Sequence, residues 1–76
     1  MDIKHDLKSI IHGQLEKASS PIFLKRVLTV IEDASDDQKS LLEAAEKISK
    51  MVALFIDKNL ANTISEALKA KINKIV

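Results

Sequence analysis

The chain of 76 residues has no cysteine, tryptophan or tyrosine, and only one glycine, one proline and two phenylalanines. The absence of cysteine excludes disulfides and thiolate metal sites, two of the means by which small domains are stabilised. A single glycine and a single proline are too few for the turns of a β-sheet protein or for a glycine-rich phosphate loop. Stability must therefore come from helix packing or from self-association.

What the chain does contain is a large share of apolar residues, 46% of the sequence. Isoleucine, leucine, valine and phenylalanine together number twenty-five. The length fits one small domain, residues 1–76, and a domain of this size buries a modest fraction of its surface when alone. Short helices cannot easily hide so many large side chains, so we predict a symmetric homodimer.

Helical periodicity predicts an all-α four-helix bundle with helices at residues 2–18, 21–34, 36–57 and 60–75. Ile3, Leu7, Ile11 and Leu15 fall on one face of the first helix at the expected spacing. The serines of KASSPIFLKR can cap the second helix, and its proline suits the first turn. This second helix is apolar around most of its circumference, which predicts burial.

The third helix is preceded by Ser35, which with Gln38 matches the capping-box pattern. Its apolar residues form a seam that is typical of coiled-coil-like packing. We expect this seam and part of the second helix to form the binding interface. The predicted interface residues are Leu41, Ile48, Val52, Phe55 and Ile56 on the third helix, with Val27 and Ile31 on the second.

The stretch FIDKNLANTIS decides whether one long helix or two short helices follow residue 48. From Ile48 to Val76 apolar residues recur every four positions, so a continuous helix would rotate this stripe by roughly 280° about its axis. Thr63 and Glu66 form a second capping-box pattern. We predict a break between residues 57 and 63. The alternative is a long bent helix exchanged between two subunits.

The net charge is only +1, but it is unevenly placed. Residues 32–46 carry six carboxylates and one lysine, whereas the segments on both sides have an excess of cations. Such asymmetry can orient partner subunits. The alternative is that these carboxylates solvate a turn and cap the following helix.

Catalytic and metal-binding patterns are weak throughout. His5 and His12 are seven residues apart, about 10 Å along a helix, which is too far for one zinc ion. Ser9 lies between them, without a nucleophile elbow or an oxyanion loop. The acidic segment departs from the calcium-loop pattern, because Ala34 and Asp37 stand at its third and sixth positions. We therefore predict no enzyme, no cofactor and no metal.

A nucleic-acid-binding regulator is the alternative function. It would use Lys58, Lys69, Lys71 and Lys74 near the C-terminus. The chain has one arginine and few aromatic residues for base stacking, so we expect protein partners rather than nucleic acid. No membrane span or signal peptide is visible in the sequence. The sequence thus predicts a small cytoplasmic interaction or regulatory module that acts through helix packing and self-association.

Overall fold

The computed structural model describes residues 3–74 and confirms the all-α four-helix prediction. The helices are α1 (Ile3–Leu15), α2 (Pro21–Asp33), α3 (Gln38–Phe55) and α4 (Lys58–Ile72). No strand occurs in this part of the chain. The predicted bounds agree with these to within about three residues, and the predicted ends at residues 2 and 75 lie outside the described residues.

The second helix begins as its sequence predicts. The Ser20 hydroxyl oxygen accepts the Phe23 backbone N–H at 3.2 Å, and Pro21 occupies the first turn. The third helix begins differently, because Asp37 and not Ser35 is its cap: the Asp37 carboxylate accepts the Ser40 N–H at 3.0 Å. Ser35 and Asp37 can both cap a helix and are two residues apart. The capping-box pattern predicted Ser35, whereas the structure uses Asp37.

The chain turns back between α3 and α4, so the alternative of one long helix is wrong. Phe55 ends α3, Ile56 leaves the helical region, and the Asp57 carboxylate accepts the Leu60 N–H at 3.0 Å to start α4. The predicted capping box at Thr63 is not formed, because Thr63 lies inside α4 and its hydroxyl donates to the Asn59 carbonyl. Asp57 is the first residue of the predicted break, and it alone makes the cap.

Neighbouring helices run antiparallel, in the cyclic order α1, α2, α3, α4. Lys8 of α1 pairs with Glu32 at the end of α2, and Lys71 at the end of α4 pairs with Asp6 of α1. Gln38 at the start of α3 likewise donates to Asn73, just after α4. The bundle therefore has two unlike ends. We call the end with residues 16–20 and 56–57 the aromatic end, and the end with residues 34–37 the acidic end.

The core lies along the bundle axis and is entirely apolar. Among the described residues, no polar or charged side chain is buried. Each helix contributes between two and five of the buried side chains. Because the chain turns between α3 and α4, the apolar stripe that recurs every four residues is divided, and each of these two helices directs its own part into the core. Val76, the last residue of the stripe, lies outside the described residues. The buried residues are Leu7, Ile11, Leu15, Val27, Ile31, Leu41, Ala44, Ala45, Ile48, Val52, Ala61, Ile64, Leu68 and Ile72.

The second helix is less buried than its composition predicts. Only Val27 and Ile31 are fully enclosed, and Ile22 keeps 72% of its surface exposed. The reason is that α2 packs only against α1 and α3, so its outward stripe meets no other helix. The outward apolar residues of α2 are therefore available to a partner, together with the outward residues of the neighbouring helix α3.

Candidate interaction surface

Five of the seven predicted interface residues lie in the core of the single chain. Leu41, Ile48, Val52, Val27 and Ile31 have no exposed surface. They do come from the two neighbouring helices α2 and α3, as predicted, but their side chains point into the bundle. Of the seven, only Phe55 and Ile56 reach the surface. Any interface formed by α2 and α3 must therefore use the side chains that these two helices direct outward. The homodimer itself stays a prediction.

Phe55 is a large apolar side chain that protrudes at the aromatic end. It is 73% exposed, although its ring lies 5.7 Å from the ring of Phe23, tilted by 58°. The two rings bridge α2 and α3 where both helices meet this end. Phe23 is half-buried and packs against the inner side of the Phe55 ring. The outer side of the Phe55 ring remains in solvent.

The three large apolar residues that are exposed within residues 3–74 all lie at the aromatic end of α2 and α3. Ile22 is next to Phe23 in α2, and Leu54 is next to Phe55 in α3; Ile22 and Leu54 are 72% and 81% exposed. Single exposed apolar residues are normal on protein surfaces, but a cluster at one place marks an interaction site. The sequence analysis missed Ile22 and Leu54, because it searched for helical seams rather than for apolar residues outside them.

A groove of about 390 Å³ opens between α2 and α3 nearer the acidic end. Its floor is formed by small or short apolar side chains, among them Val30, Ala34 and Ala44, and its rim carries Asp33 and Glu43. The small alanines leave room that larger side chains would fill. The groove is a depression that is open to solvent and lined by both apolar and polar side chains.

The groove and Phe55 lie on the same face of the bundle. Ala44 and Phe55 are eleven residues apart on α3, which corresponds to about 20° around the helix and about 16 Å along it. Phe23 and Val30 are related in the same way on α2, seven residues and about 20° apart. We call this side of the molecule the α2/α3 face. It has a protruding aromatic ring at one end and a groove at the other.

Charge is separated along the α2/α3 face in the same direction. Residues 17–31 and 47–56, toward the aromatic end, contain no carboxylate. Their five cations are all exposed, and none forms an ion pair within residues 3–74: Lys17, Lys25, Arg26, Lys47 and Lys50. Toward the acidic end the groove is lined by Asp33 and Glu43 together with Lys47. The face thus combines apolar and basic groups in one half with a groove of mixed charge in the other.

The four lysines of the nucleic-acid alternative do not form one surface. Lys69 and Lys71 are engaged with carboxylates of α3 and α1, at 3.2 Å from Glu46 and 3.6 Å from Asp6. Lys58 starts α4 at the aromatic end, whereas Lys74 follows α4 at the opposite end. No part of the described structure brings these four cations together, so it offers no specific support for this function.

The histidines are both exposed, and His12 of α1 lies 3.8 Å from Glu16, which directly follows that helix. Within residues 3–74, no group of three or more metal-ligating side chains is close enough to hold a metal ion. In the same range, each helix is too short or too polar to cross a membrane. The α2/α3 face is therefore the candidate site with the strongest structural basis.

Comparison with protein-family models, curated proteins and solved structures found no match to this chain. The functional argument accordingly depends on the residues of this chain alone.

Proposed function

We propose that this chain is a small cytoplasmic protein–protein interaction module that self-associates into a homodimer through its α2/α3 face. The observation that carries the proposal is the clustering of Ile22, Leu54 and Phe55, each more than two-thirds exposed, at one end of this face. Exposed apolar surface is the main driving force for association, and aromatic residues are enriched where binding energy concentrates.

A second copy of the chain is the occupant that best complements this face. Binding of two copies about a two-fold axis requires a self-complementary surface, in which each residue and its contact partner occur on both copies. The α2/α3 face carries both a protruding ring and a groove, and its carboxylates Asp33 and Glu43 lie only at the groove. A foreign partner would need to match each of these features separately.

The available area is sufficient for a dimer of moderate affinity. A standard stable interface buries about 800 Å² on each partner, roughly one-sixth of the 4995 Å² of accessible surface of this chain. The long sides of the bundle measure up to 32 Å by 20 Å. The flat area of such a side is smaller than this standard, so nearly the whole side would have to take part, with two helices of each copy forming a four-helix contact layer.

The test is the solution mass of the native chain and of Phe55→Glu over a range of concentrations. The native chain should pass from monomer to dimer, and Phe55→Glu should stay monomeric because it places a charge in the apolar contact. Ala53→Glu is the matched control: it adds the same charge to the same helix, at an exposed position about 160° away from Phe55. Equal dimerisation of the two variants would show that the aromatic end is not involved.

A further inference from the structure

We infer that the aromatic end of the bundle binds the surface of an anionic lipid bilayer. Ile22, Leu54 and Phe55 enter the boundary between headgroups and acyl chains, and the cations around them contact the headgroup phosphates. The inference goes beyond self-association and does not depend on it, because a monomer presents the same end. Two properties coincide there: exposed apolar side chains and an excess of unpaired cations.

The apolar residues stand at the tip of the bundle. Ile22 is the second residue of α2, and Leu54 and Phe55 are the last two residues of α3, so all three lie within about 2 Å of the end along the helix axes. Each is more than two-thirds exposed. Side chains that project in this way can enter a soft apolar layer without a matching pocket. Phenylalanine and leucine are typical of segments that insert about 5–10 Å into a bilayer surface.

The same end has an excess of cations. Residues 10–26 and 50–63 lie within about 8 Å of it along the helix axes and contain five cations but two carboxylates. The carboxylates are engaged, because Asp57 accepts the Leu60 N–H and Glu16 lies 3.8 Å from His12. The five cations are exposed and form no ion pair within residues 3–74: Lys17, Lys25, Arg26, Lys50 and Lys58.

The charge of the rest of the bundle favours the same orientation. Residues 27–49 contain six carboxylates and two lysines, and they include the acidic end. An anionic surface therefore attracts the aromatic end and repels the acidic end. The attraction acts within about a Debye length, roughly 10 Å at moderate salt, which covers the five cations and not the acidic end.

The placement of the cations fits a flat surface. Lys17 lies between α1 and α2, Lys25 and Arg26 on α2, Lys50 on α3, and Lys58 at the start of α4. A single peptide segment would reach the cations on one side of the tip, whereas a plane across the end reaches all of them.

The cations on α2 and α3 are also set back from the apolar tip. Lys25 and Arg26 follow Ile22 by three and four residues, and Lys50 precedes Leu54 by four, which corresponds to about 4–6 Å along each helix. Long basic side chains can extend their apolar stems along such a boundary and keep their charges at the level of the headgroups. The apolar side chains and the charges thus occupy the two depths that a bilayer surface provides.

A bilayer complements both properties of this end, and other polyanions complement one. A DNA duplex offers phosphates but no apolar layer for Ile22, Leu54 and Phe55. A second copy would cover these three residues but would bring the same cations with it. Because a second copy and a bilayer need the same apolar residues, the chain on the bilayer is a monomer.

Co-sedimentation with vesicles tests the inference. The native chain should bind vesicles of phosphatidylcholine mixed with phosphatidylglycerol, should not bind phosphatidylcholine alone, and should bind more weakly as salt is raised. Lys25→Glu/Arg26→Glu should bind at least about tenfold more weakly. Lys39→Glu/Lys74→Glu makes the same charge change toward the acidic end and should bind as the native chain does. All four positions are exposed, and circular dichroism checks each fold.

A fluorescence experiment tests the insertion of the apolar tip. The chain has no tryptophan, so the indole of Phe55→Trp reports on position 55 alone. Its emission should move to shorter wavelength when the mixed vesicles are added, because the ring leaves water. Ser35→Trp is the control, since Ser35 is exposed at the acidic end, and its emission should not change. Unchanged emission from Phe55→Trp would overturn the inference.

The remaining outcomes separate the bilayer from other partners. Equal binding to both kinds of vesicle, or binding to neither, overturns the inference. Binding of poly-glutamate or of a DNA duplex as tightly as the mixed vesicles also overturns it and assigns the cations to a soluble polyanion. Self-association is measured without lipid, so a dimer that ignores vesicles leaves the proposed function standing. A monomer that binds vesicles contradicts the proposed function and supports this inference.

Discussion

Val52 and Phe55 lie three residues apart on α3, yet Val52 has no exposed surface and Phe55 is 73% exposed. Both are apolar, and the helical seam in the sequence places them together. The difference arises because Val52 faces the bundle interior, whereas Phe55 is the last residue of α3 and packs its ring against that of Phe23 near the surface. One residue therefore stabilises the fold, and the other is available for a partner.

The first prediction uses this pair. Val52→Glu should unfold the chain, because a buried, unpaired carboxylate costs several kcal/mol, comparable with the whole stability of a small domain. Phe55→Glu should remain folded, with a loss of at most about 0.5–1.5 kcal/mol from the contact with Phe23. Thermal unfolding followed by circular dichroism measures both. A cooperative transition of Val52→Glu at the native temperature would contradict the assignment of Val52 to the core.

The second prediction concerns the turn between α3 and α4. Asp57→Ala removes the carboxylate that accepts the Leu60 N–H and should lower stability by about 0.5–2 kcal/mol. Thr63→Ala is the control, since Thr63 is interior to α4 and alanine is a better helix former. Its midpoint should be unchanged or slightly higher. If urea unfolding showed a larger loss of stability for Thr63→Ala than for Asp57→Ala, the assignment of Asp57 as the cap of α4 would be wrong.

The third prediction is a pH dependence at the start of α3. Hydrogen bonds from the backbone N–H and the hydroxyl of Ser40 lower the pKa of Asp37 below its ordinary value. A lowered pKa means that the folded state favours the carboxylate, so this stabilisation is complete above the unfolded pKa of about 3.9. It is lost as the pH falls through the lower folded pKa.

Unfolding midpoints measured from neutral pH to about pH 2 test this assignment. Asp37→Asn keeps an oxygen acceptor but cannot ionise, so it should lose less stability than the native chain over the acidic range. Ser40→Ala removes one of the two donors and should lie between them. Parallel curves for the native chain and Asp37→Asn would show that Asp37 does not contribute to the acid response.

The fourth prediction concerns the single glycine, Gly13, which lies in α1. A Cβ atom at this position would have no other atom within 4 Å of it, so the residue is not needed for a close helix approach. Gly13→Ala should therefore raise stability by about 0.5–1 kcal/mol, seen as a higher unfolding midpoint. A lower midpoint would mean that Gly13 has a role outside the described packing.

The fifth prediction addresses nucleic acid. A generic DNA duplex at low salt should produce no mobility shift with the native chain, because Lys69 and Lys71 already face carboxylates and Lys58 and Lys74 lie at opposite ends. Binding that weakens steeply with salt, and that is lost in Lys69→Gln/Lys71→Gln, would instead favour the nucleic-acid alternative.

The helices could be predicted from the sequence because periodicity and caps are local signals. Pro21 after two serines predicted the start of α2 to the residue, and the drift of the four-residue stripe predicted a break at residues 57–63, which the structure has at Ile56 and Asp57. Choosing among competing caps failed at Asp37 and Asp57, because several competent side chains lay within two turns of each other. Selecting one of them depends on how the helices pack, which a local pattern does not contain.

For the interface, the sequence could predict which helices take part but not which of their side chains are exposed. Both α2 and α3 were selected, but the pattern could not tell that Val27, Ile31, Ile48 and Val52 would be enclosed by the remaining helices of the same chain. Apolar periodicity gives the same signal for a core and for a dimer seam. A signal for the exposed end was present in the sequence: residues 17–31 and 47–56 contain no carboxylate, and they include the three large apolar residues that are exposed in the described part of the chain.

Sedimentation equilibrium of the native chain, over a concentration range from low micromolar to millimolar, tests the central claim most directly. A reversible monomer–dimer equilibrium that is abolished by Phe55→Glu and retained by Ala53→Glu is the predicted result. A monomer mass at every concentration would contradict self-association and leave the exposed aromatic end without the partner proposed for it.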